Sequence, residues 1–364
     1  MKIKEIIKEI EAFAPLSLQD SYDNSGIQVG NVEQVLSGCL LCLDITEEVI
    51  EEALELECNL IISHHPLIFR ALKSLTGKSY IERCIQKACK HDLVIYAAHT
   101  NLDNAYKGVS FRIAEKIGLQ NIQILSPLSN NLLKLVTFVP TKSAEVLRKA
   151  LFNAGAGQIG NYDSCSYNLQ GEGTFRAGEG SKPFVGLQGE LHFEQEERIE
   201  MALPSYLESK IVKTLLATHP YEEPAYDIYT LKNAWGRAGA GVIGELPLPE
   251  TELAFLKRIK DVFKLKILKH SALRDKEVLK IAICGGSGAF LIPQAIANQA
   301  DVFITGEAKY NDYFDVEQKL LLGIIGHYES EVCTKELIFE IITKKFPNFA
   351  VHFSNANINP VNYL

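Results

Sequence analysis

Three features are scarce in this 364-residue chain, and each absence excludes a class of protein. The first is positive charge: 37 Lys and Arg stand against 45 Asp and Glu, a net charge of −8 with a pI near 5.7. Binding to nucleic acid through phosphates needs clustered cations, and no basic run occurs, which argues against nucleic acid as a partner. The second is long apolar runs. The longest, such as Leu320–Ile325, fall far short of the roughly 20 residues that span a bilayer. The opening segment MKIKEIIKEIEAFAP alternates charged and apolar residues at helical spacing, unlike a signal peptide. A soluble, cytoplasmic protein with no membrane partner is therefore expected. The third is a dense cysteine framework. Eight cysteines are spread over the chain, which suits reduced thiols in an intracellular protein.

The cysteine spacings do not suggest metal ligation. Cys39 and Cys42 lie three apart in an apolar run read as a strand, where their side chains point to opposite faces. Cys84 and Cys89 lie five apart on an expected helix and also face different ways.

What is present is an ordinary globular balance, 47% hydrophobic and 23% charged, in a chain long enough for two or three domains. Near the N-terminus the pattern is strand, polar turn, helix, repeated. Expected strands Gly38–Leu43, Asn59–Ile62 and Leu93–Ala97 are separated by helices starting at the N-cap Thr46 and spanning Ser79–Lys90. The C-terminal third repeats the pattern with strands Val278–Cys284, Asp301–Ile304 and Leu320–Ile325, a helix over Ile292–Asn298, and another from about Ser330 to Lys345. Alternating strands and helices predict an α/β fold with a largely parallel sheet, built as two related lobes. The middle differs. Strand Leu135–Val139, helix Ala144–Ala154, a Gly-rich polar stretch Gly155–Gly180, strand Ile199–Ala202, helix Tyr206–Leu216 and strand Tyr226–Leu231 suggest a β-α-β-β-α-β, ferredoxin-like insert. The expected domains are 1–130, an N-terminal lobe of the core; 131–236, the insert; and 237–364, a C-terminal lobe.

The chemistry gathers at strand ends, where open parallel sheets bind ligands. His64 and His65 follow one strand, Asp103 closes the loop after another, and His327 follows a third. Glu331 lies four residues later, a spacing that lets both side chains face one site. Imidazole and carboxylate suit first-row divalent ions such as Zn, Fe or Mn. Three His and two carboxylates exceed the three protein ligands of a single catalytic zinc. They fit two ions about 3.5–4 Å apart with a bridging carboxylate, for which Glu331 is the candidate. The plainer reading is that one of the adjacent histidines is a packed core imidazole.

Other residues carry two readings each. His99 orients a ligand or is a satisfied loop histidine. Glu307, at a strand end, is a general base or a hydrogen-bonded loop carboxylate. Gly285-Gly286-Ser287-Gly288 binds phosphate through its amides or forms a tight turn, and it lacks the Lys-Ser/Thr of a P-loop. His219 with Glu222 and Glu223 holds a third metal or, the favoured reading, forms a packing motif between Pro220 and Pro224.

Five motifs then carry a resemblance: D-N-S-G-I-Q-V-G (Asp23–Gly30), S-H-H-P (Ser63–Pro66), H-T-N-L-D (His99–Asp103), T-G-E (Thr305–Glu307) and G-H-Y-E-S-E (Gly326–Glu331). In this order they resemble the Nif-three-like family, whose bacterial members are labelled GTP cyclohydrolase I type 2 homologue. The match runs to about Leu128 and resumes near Gly239. The insert, with H-P-Y-E-E-P-A-Y-D (His219–Asp227), resembles the PII- and CutA-like extra domain of the longer members. The resemblance implies two divalent metal ions per chain on His64, His65, Asp103, His327 and Glu331. One ion would be held mainly by His65 and Asp103 and the other by His64 and His327, with Glu331 shared. It also implies a homohexamer, a toroid of trimers. Relatives often carry a His after the tyrosine that follows the T-G-E segment, where this chain has Tyr310-Asn311. The expected function is a dimetal hydrolase of a small nucleotide-like or heterocyclic substrate, with His99 or Glu307 handling protons. The alternative is a non-catalytic metal-binding regulator or metallochaperone.

Overall fold

Local signals start several helices where side-chain oxygens can take the first free amides. Thr46 Oγ1 accepts from the Val49 amide at the head of helix Glu47–Glu55, and Ser79 Oγ from the Glu82 amide at the head of Tyr80–Lys90. Thr251 does the same for helix Glu252–Val262 through the Ala254 amide. Each cap contributes about 1 kcal/mol. The computed structural model describes residues 1–356 and 359–364. The chain divides into two units, Met1–Ser126 with Arg237–Leu364, and Pro127–Gly236.

Two of the sheets lie in the first unit. The five-stranded one runs Gly26–Val29, Val94–Ala97, Leu60–Ser63, Cys39–Cys42, Val351–Phe353. Its last four strands are parallel, and the first is antiparallel to its neighbour. The strand Val351–Phe353 comes from the chain's far end and pairs with Cys39–Leu41, so residues from both ends of the sequence build one sheet. The six-stranded sheet runs Lys269–His270, Leu321–Ile324, Val302–Thr305, Glu277–Cys284, Trp235–Thr251, Gln120–Leu128. Its Glu277–Cys284, Val302–Thr305 and Leu321–Ile324 strands are parallel.

The central parallel strands are buried on both faces, as near-continuous apolar runs require. Leu60–Ser63, Val94–Ala97 and Val302–Thr305 have no exposed residue. Ile61, Ile95, Leu40, Ile50 and Ala88 pack into one core and Ala282, Phe303, Leu322 and Ala295 into another. Cys39 and Cys42 are both buried, Cys84 is buried and Cys89 exposed, and all eight cysteines are free thiols. Among the described residues no helix is long and apolar enough to cross a membrane.

The second unit has the element order strand Leu132–Pro140, helix Ala144–Ala154, strands Tyr167–Arg176 and Leu191–Pro204, helix Glu208–Thr218, strand Tyr226–Leu231. Its antiparallel sheet is ordered Tyr167–Arg176, Leu191–Pro204, Leu132–Pro140, Tyr226–Leu231. Leu135, Ile199, Met201 and Leu203 bury one face against Leu147, Leu151, Ile211 and Leu215 of the helices.

Several expected elements change: the Gly-rich stretch Gly155–Gly180 contains strand Tyr167–Arg176, and strand Ile199–Ala202 extends over Leu191–Pro204. The helix expected from about Ser330 to Lys345 is two helices, His327–Glu331 and Thr334–Lys345. The first follows Gly326, whose φ of +95° turns the chain in a way a side chain would resist. His327 and Glu331 therefore share one helical turn.

Candidate metal centre

The parallel strands of the first unit deliver their polar ends to one cavity of about 420 Å³. Strand Leu60–Ser63 leads into His64 and His65, and Val94–Ala97 leads through His99 into a short helical turn ending at Asp103. Leu321–Ile324 leads through Gly326 to His327 and Glu331. All five residues of the expected ligand set are brought together, and His99 joins them.

Each imidazole is fixed through one nitrogen, which commits the other to the centre. His65 Nδ1 lies 2.7 Å from Asp44 Oδ1, and His327 Nδ1 lies 3.0 Å from Glu307 Oε1. Their Nε2 atoms face each other at 3.2 Å. Both also face Glu331 Oε2, at 3.0 Å from His65 and 2.9 Å from His327. With the Nδ1 protons directed at carboxylates, two lone pairs and a carboxylate oxygen converge, an arrangement a cation or shared protons must neutralise. His64 is fully buried, and its Nδ1 faces the Ala98 carbonyl at 2.8 Å. Its Nε2 is buried without a hydrogen-bond partner, 3.7 Å from Glu331 Oε1 and 3.8 Å from Asp103 Oδ1. A buried acceptor left unpaired costs about 1–3 kcal/mol, so this donor set fits a divalent ion.

Beside the group of His64, His65 and His99, two groups share Glu331. His65 stands with His327 and Glu331, and His64 with Asp103 and Glu331. The rings of the adjacent histidines lie 5.0 Å apart between centroids, tilted 46° to each other. Glu331 belongs to both groups, one oxygen towards each.

Electrostatics follow the crowding. Burial opposes charge on His65, but hydrogen bonds to Asp44 and Glu331 outweigh it and push its pKa up to about 10. Burial likewise opposes charge on His64 and His327, and nearby carboxylates raise both. Glu331 is almost wholly buried, which by itself would raise it. His64, His327 and His65 overcome that and hold it well below the usual carboxylate range. Asp103 goes the other way: burial raises it, with His64 pulling it back.

Two carboxylates that residue type alone did not single out support the set. Asp44, just beyond strand Cys39–Cys42, orients His65. Asp23, in the D-N-S-G segment, lies 2.6 Å from His99 Nδ1 and accepts from the Thr100 amide and hydroxyl. Burial would raise Asp23, but His99, Thr100 and Ser25 outweigh it and depress it. A carboxylate in reach of a strand-end histidine was the available signal, and Asp44 is the first such residue in its loop. Glu307 is exposed, and its carboxylate contacts His327 Nδ1 and the Ser287 hydroxyl, on the far side of the imidazole from Glu331.

The glycine-rich turn packs against this centre. The Gly286 amide donates to Ser330 Oγ and that of Gly288 to Thr305 Oγ1. These amides are spent inside the fold, as in the structural-turn reading. A β-carbon on Gly286 would lie 2.1 Å from Glu331 Oε1, and one on Gly306 would lie 2.6 Å from the Gly286 carbonyl oxygen. His219 is buried elsewhere, its Nε2 on the Phe138 carbonyl and its Nδ1 accepting from the Tyr221 amide. Glu222 accepts from the Lys182 amide. That agrees with a packing motif. Asn311 precedes the short helix Asp312–Asp315, and the neighbouring Tyr310 is exposed.

Comparison with known proteins agrees with these motifs. The family model described as Duf34/NIF3 (NGG1p interacting factor 3) matches residues 1–360. A Halalkalibacterium halodurans protein named GTP cyclohydrolase 1 type 2 homolog is 41% identical, over 99% of this chain and 98% of its own. A Bacillus subtilis protein of the same name is 36% identical, again over 99% and 98%. The crystal structure of a Bacillus cereus protein related to NIF3 superposes with a TM-score of 0.87 at 37% identity, covering 100% of this chain and 99% of that one. The chain belongs to the Duf34/NIF3 family.

Proposed function

We propose that this member of the Duf34/NIF3 family is a dimetal hydrolase acting on a small nucleotide-like or heterocyclic substrate. The observation that carries the proposal is the convergence of His65 Nε2, His327 Nε2 and Glu331 Oε2 within 3.2 Å of one another, beside the unpartnered His64 Nε2. His64, His65, Asp103, His327 and Glu331 would hold two divalent ions (Zn, Fe or Mn), with Glu331 shared between them. Ions held there supply Lewis acidity and make water nucleophilic near neutral pH.

This chain's residues do the rest. Asp44 and Glu307 keep the lone pairs of His65 and His327 directed inward. His99, steadied by Asp23 through Nδ1, stands with His64 and His65 and is the candidate to move a proton at the reacting atom. Glu307 acts through His327 as a positioning residue. Phe69 and Phe290 help to line the cavity and suit a flat ring. The names of the relatives favour a cyclohydrolase-type reaction on a guanine nucleotide.

The same reading includes residues 131–236 as an inserted ferredoxin-like domain similar to PII and CutA, supported by its β-α-β-β-α-β order. It also includes assembly as a homohexamer in the cytoplasm, which native mass measurement of the purified protein checks.

The test is elemental analysis of the purified protein beside a His327→Ala, Glu331→Ala variant, with turnover assays on GTP, cyclic amides and phosphoesters. The expected result is about two metals per chain, as a bridged pair requires, their loss in the variant, and turnover of at least one class. Full metal content with no turnover would favour the metallochaperone or regulator instead.

A further inference from the structure

The cavity at the metal centre is rich in acceptors and poor in positive charge. Asp20, Asp44, Asp103 and Glu331 line it, and among its described lining residues there is no Lys or Arg. Metal-holding side chains act as neutral imidazoles and ionised carboxylates. The four positive charges of two divalent ions are therefore cancelled by these four carboxylates. Behind His327 and His99, Glu307 and Asp23 add further carboxylates and no cation. Arg70, next to Phe69, is exposed and outside the lining.

Phosphate is held by Lys or Arg, by free backbone amides or by hydroxyl donors. Around this cavity such donors are largely committed. The Thr100 hydroxyl donates to Asp23, the Ser287 hydroxyl to Glu307 and the Tyr22 hydroxyl to Asp20. The Asn104 side-chain amide donates to the Leu18 carbonyl and to Asp20. The glycine-rich turn spends its Gly286 and Gly288 amides on Ser330 and Thr305. The hydroxyls of Tyr80 and Ser110 remain in the lining, and they are neutral. Asp20 is fixed from two sides: its amide donates to Thr100 Oγ1, and its carboxylate accepts from Tyr22 and Asn104. Unlike Asp103 and Glu331 it belongs to no metal-capable group, and unlike Asp44 it orients no imidazole among the described residues. Its carboxylate faces whatever else enters.

We propose that this cavity rejects phosphate-bearing ligands, so that its substrate is the uncharged heterocycle rather than the nucleotide, and that Asp20 sets this preference. The inference rests on the dimetal reading and narrows it. A triphosphate entering here meets carboxylates whose charge leaves the ions no surplus, and donors already given to other acceptors. A flat uncharged ring pays neither cost. It keeps Phe69 and Phe290 as apolar walls, and Asp20 can accept from an N–H on its edge. Building a repulsive group against the wrong ligand is a common source of specificity.

Isothermal titration of the metal-loaded full chain with guanosine, GTP and inorganic triphosphate, each with excess magnesium, tests it. Elemental analysis after each titration confirms that the metals stay bound. Binding that survives in the His327→Ala, Glu331→Ala variant lies outside this cavity and is subtracted. GTP then binds the parent no more tightly than guanosine does. Asp20→Arg, which places a cation where the carboxylate stood, binds inorganic triphosphate about tenfold or more tighter than the parent. GTP binding more tightly than guanosine in the parent overturns the proposal, and so does an Asp20→Arg variant that gains nothing for triphosphate. If Arg70→Ala removes the parent's preference for GTP, the phosphates are held at the cavity mouth and the proposal fails. The parent comparison stands even if Asp20→Arg does not fold. Failure of the hydrolase reading shows separately, as no turnover of any substrate class with both metals bound.

Discussion

His65 and His327 come from strand ends 262 residues apart, yet their Nε2 atoms lie 3.2 Å from each other with Glu331 Oε2 close to both. In their neutral, Nδ1-protonated forms neither nitrogen can donate to the other, with His65 Nδ1 on Asp44 and His327 Nδ1 3.0 Å from Glu307. The contact makes sense as a site whose occupant is positively charged.

Asp44→Asn therefore weakens metal binding even though Asp44 belongs to neither metal-capable group around Glu331. An amide in place of the carboxylate makes His65 a poorer and less firmly oriented donor, a loss of roughly 10–100-fold in affinity. Competition against a chromophoric chelator measures it. Affinity within twofold of the parent would show that Asp44 does not orient His65. Glu307→Gln acts on His327 in the same direction, by less, because Glu307 is exposed.

The metal-free protein loses stability as pH rises. The His65 pKa is raised from 6.5 to about 10 by Asp44 and Glu331 against the cost of burial. The folded state thus holds a proton that the unfolded chain releases at lower pH. Its contribution is complete below about pH 6.5 and is lost as pH climbs towards 10. Denaturant titrations of chelator-treated protein at pH 6, 8 and 10 show falling stability, and His65→Asn flattens the trend. Metal binding at pH 8 releases protons, so affinity rises with pH, and calorimetry in buffers of different ionisation heat counts them.

The Glu252–Arg274 pair supplies a stability test away from the centre. Both side chains are almost fully buried. The Glu252 carboxylate accepts from the Arg274 guanidinium and from the amides of Arg274 and Asp275. Glu252→Ala strands a buried guanidinium and two amides, costing about 3–5 kcal/mol. A midpoint shift in urea worth less than about 1 kcal/mol would show that water replaces the carboxylate.

How much was legible in the sequence depended on whether burial shaped the pattern. The short parallel strands are buried on both sides, so their apolar runs and polar ends stood out, and with them His64, His65, Asp103 and His327. The partner of each histidine did not, because the direction in which two adjacent side chains leave a strand end is set by packing. Asp44 looked like an ordinary residue after a strand until His65 was seen to reach it. In the second unit, strand Leu191–Pro204 was recognisable only over Ile199–Ala202, the part that packs on the helices. The stretch before it, H-F-E-Q-E-E-R, extends past them and has no buried side to enforce an apolar alternation. Strand Tyr167–Arg176 was hidden for a related reason, since Gly171 and Gly173 read as loop.

Two glycines with left-handed backbones separate strain from steric conflict. Gly118 ends helix Val109–Ile117 at φ +82°, and its missing β-carbon would meet nothing within 4 Å. Gly118→Ala therefore costs only the left-handed penalty, about 1–2 kcal/mol, and leaves metal content unchanged. Gly286 has φ +57°, but its β-carbon would lie 2.1 Å from Glu331 Oε1 and 3.5 Å from His327 Nε2. Gly286→Ala pays the same backbone penalty and must also drive the Glu331 carboxylate out of position. Its metal content falls towards that of Glu331→Ala, and it loses more stability than Gly118→Ala because the buried carboxylate is displaced from His65 and His327. Elemental analysis and urea titration of the two alanine variants side by side decide the matter. Equal metal content in both would mean that Glu331 can move aside and still serve the centre.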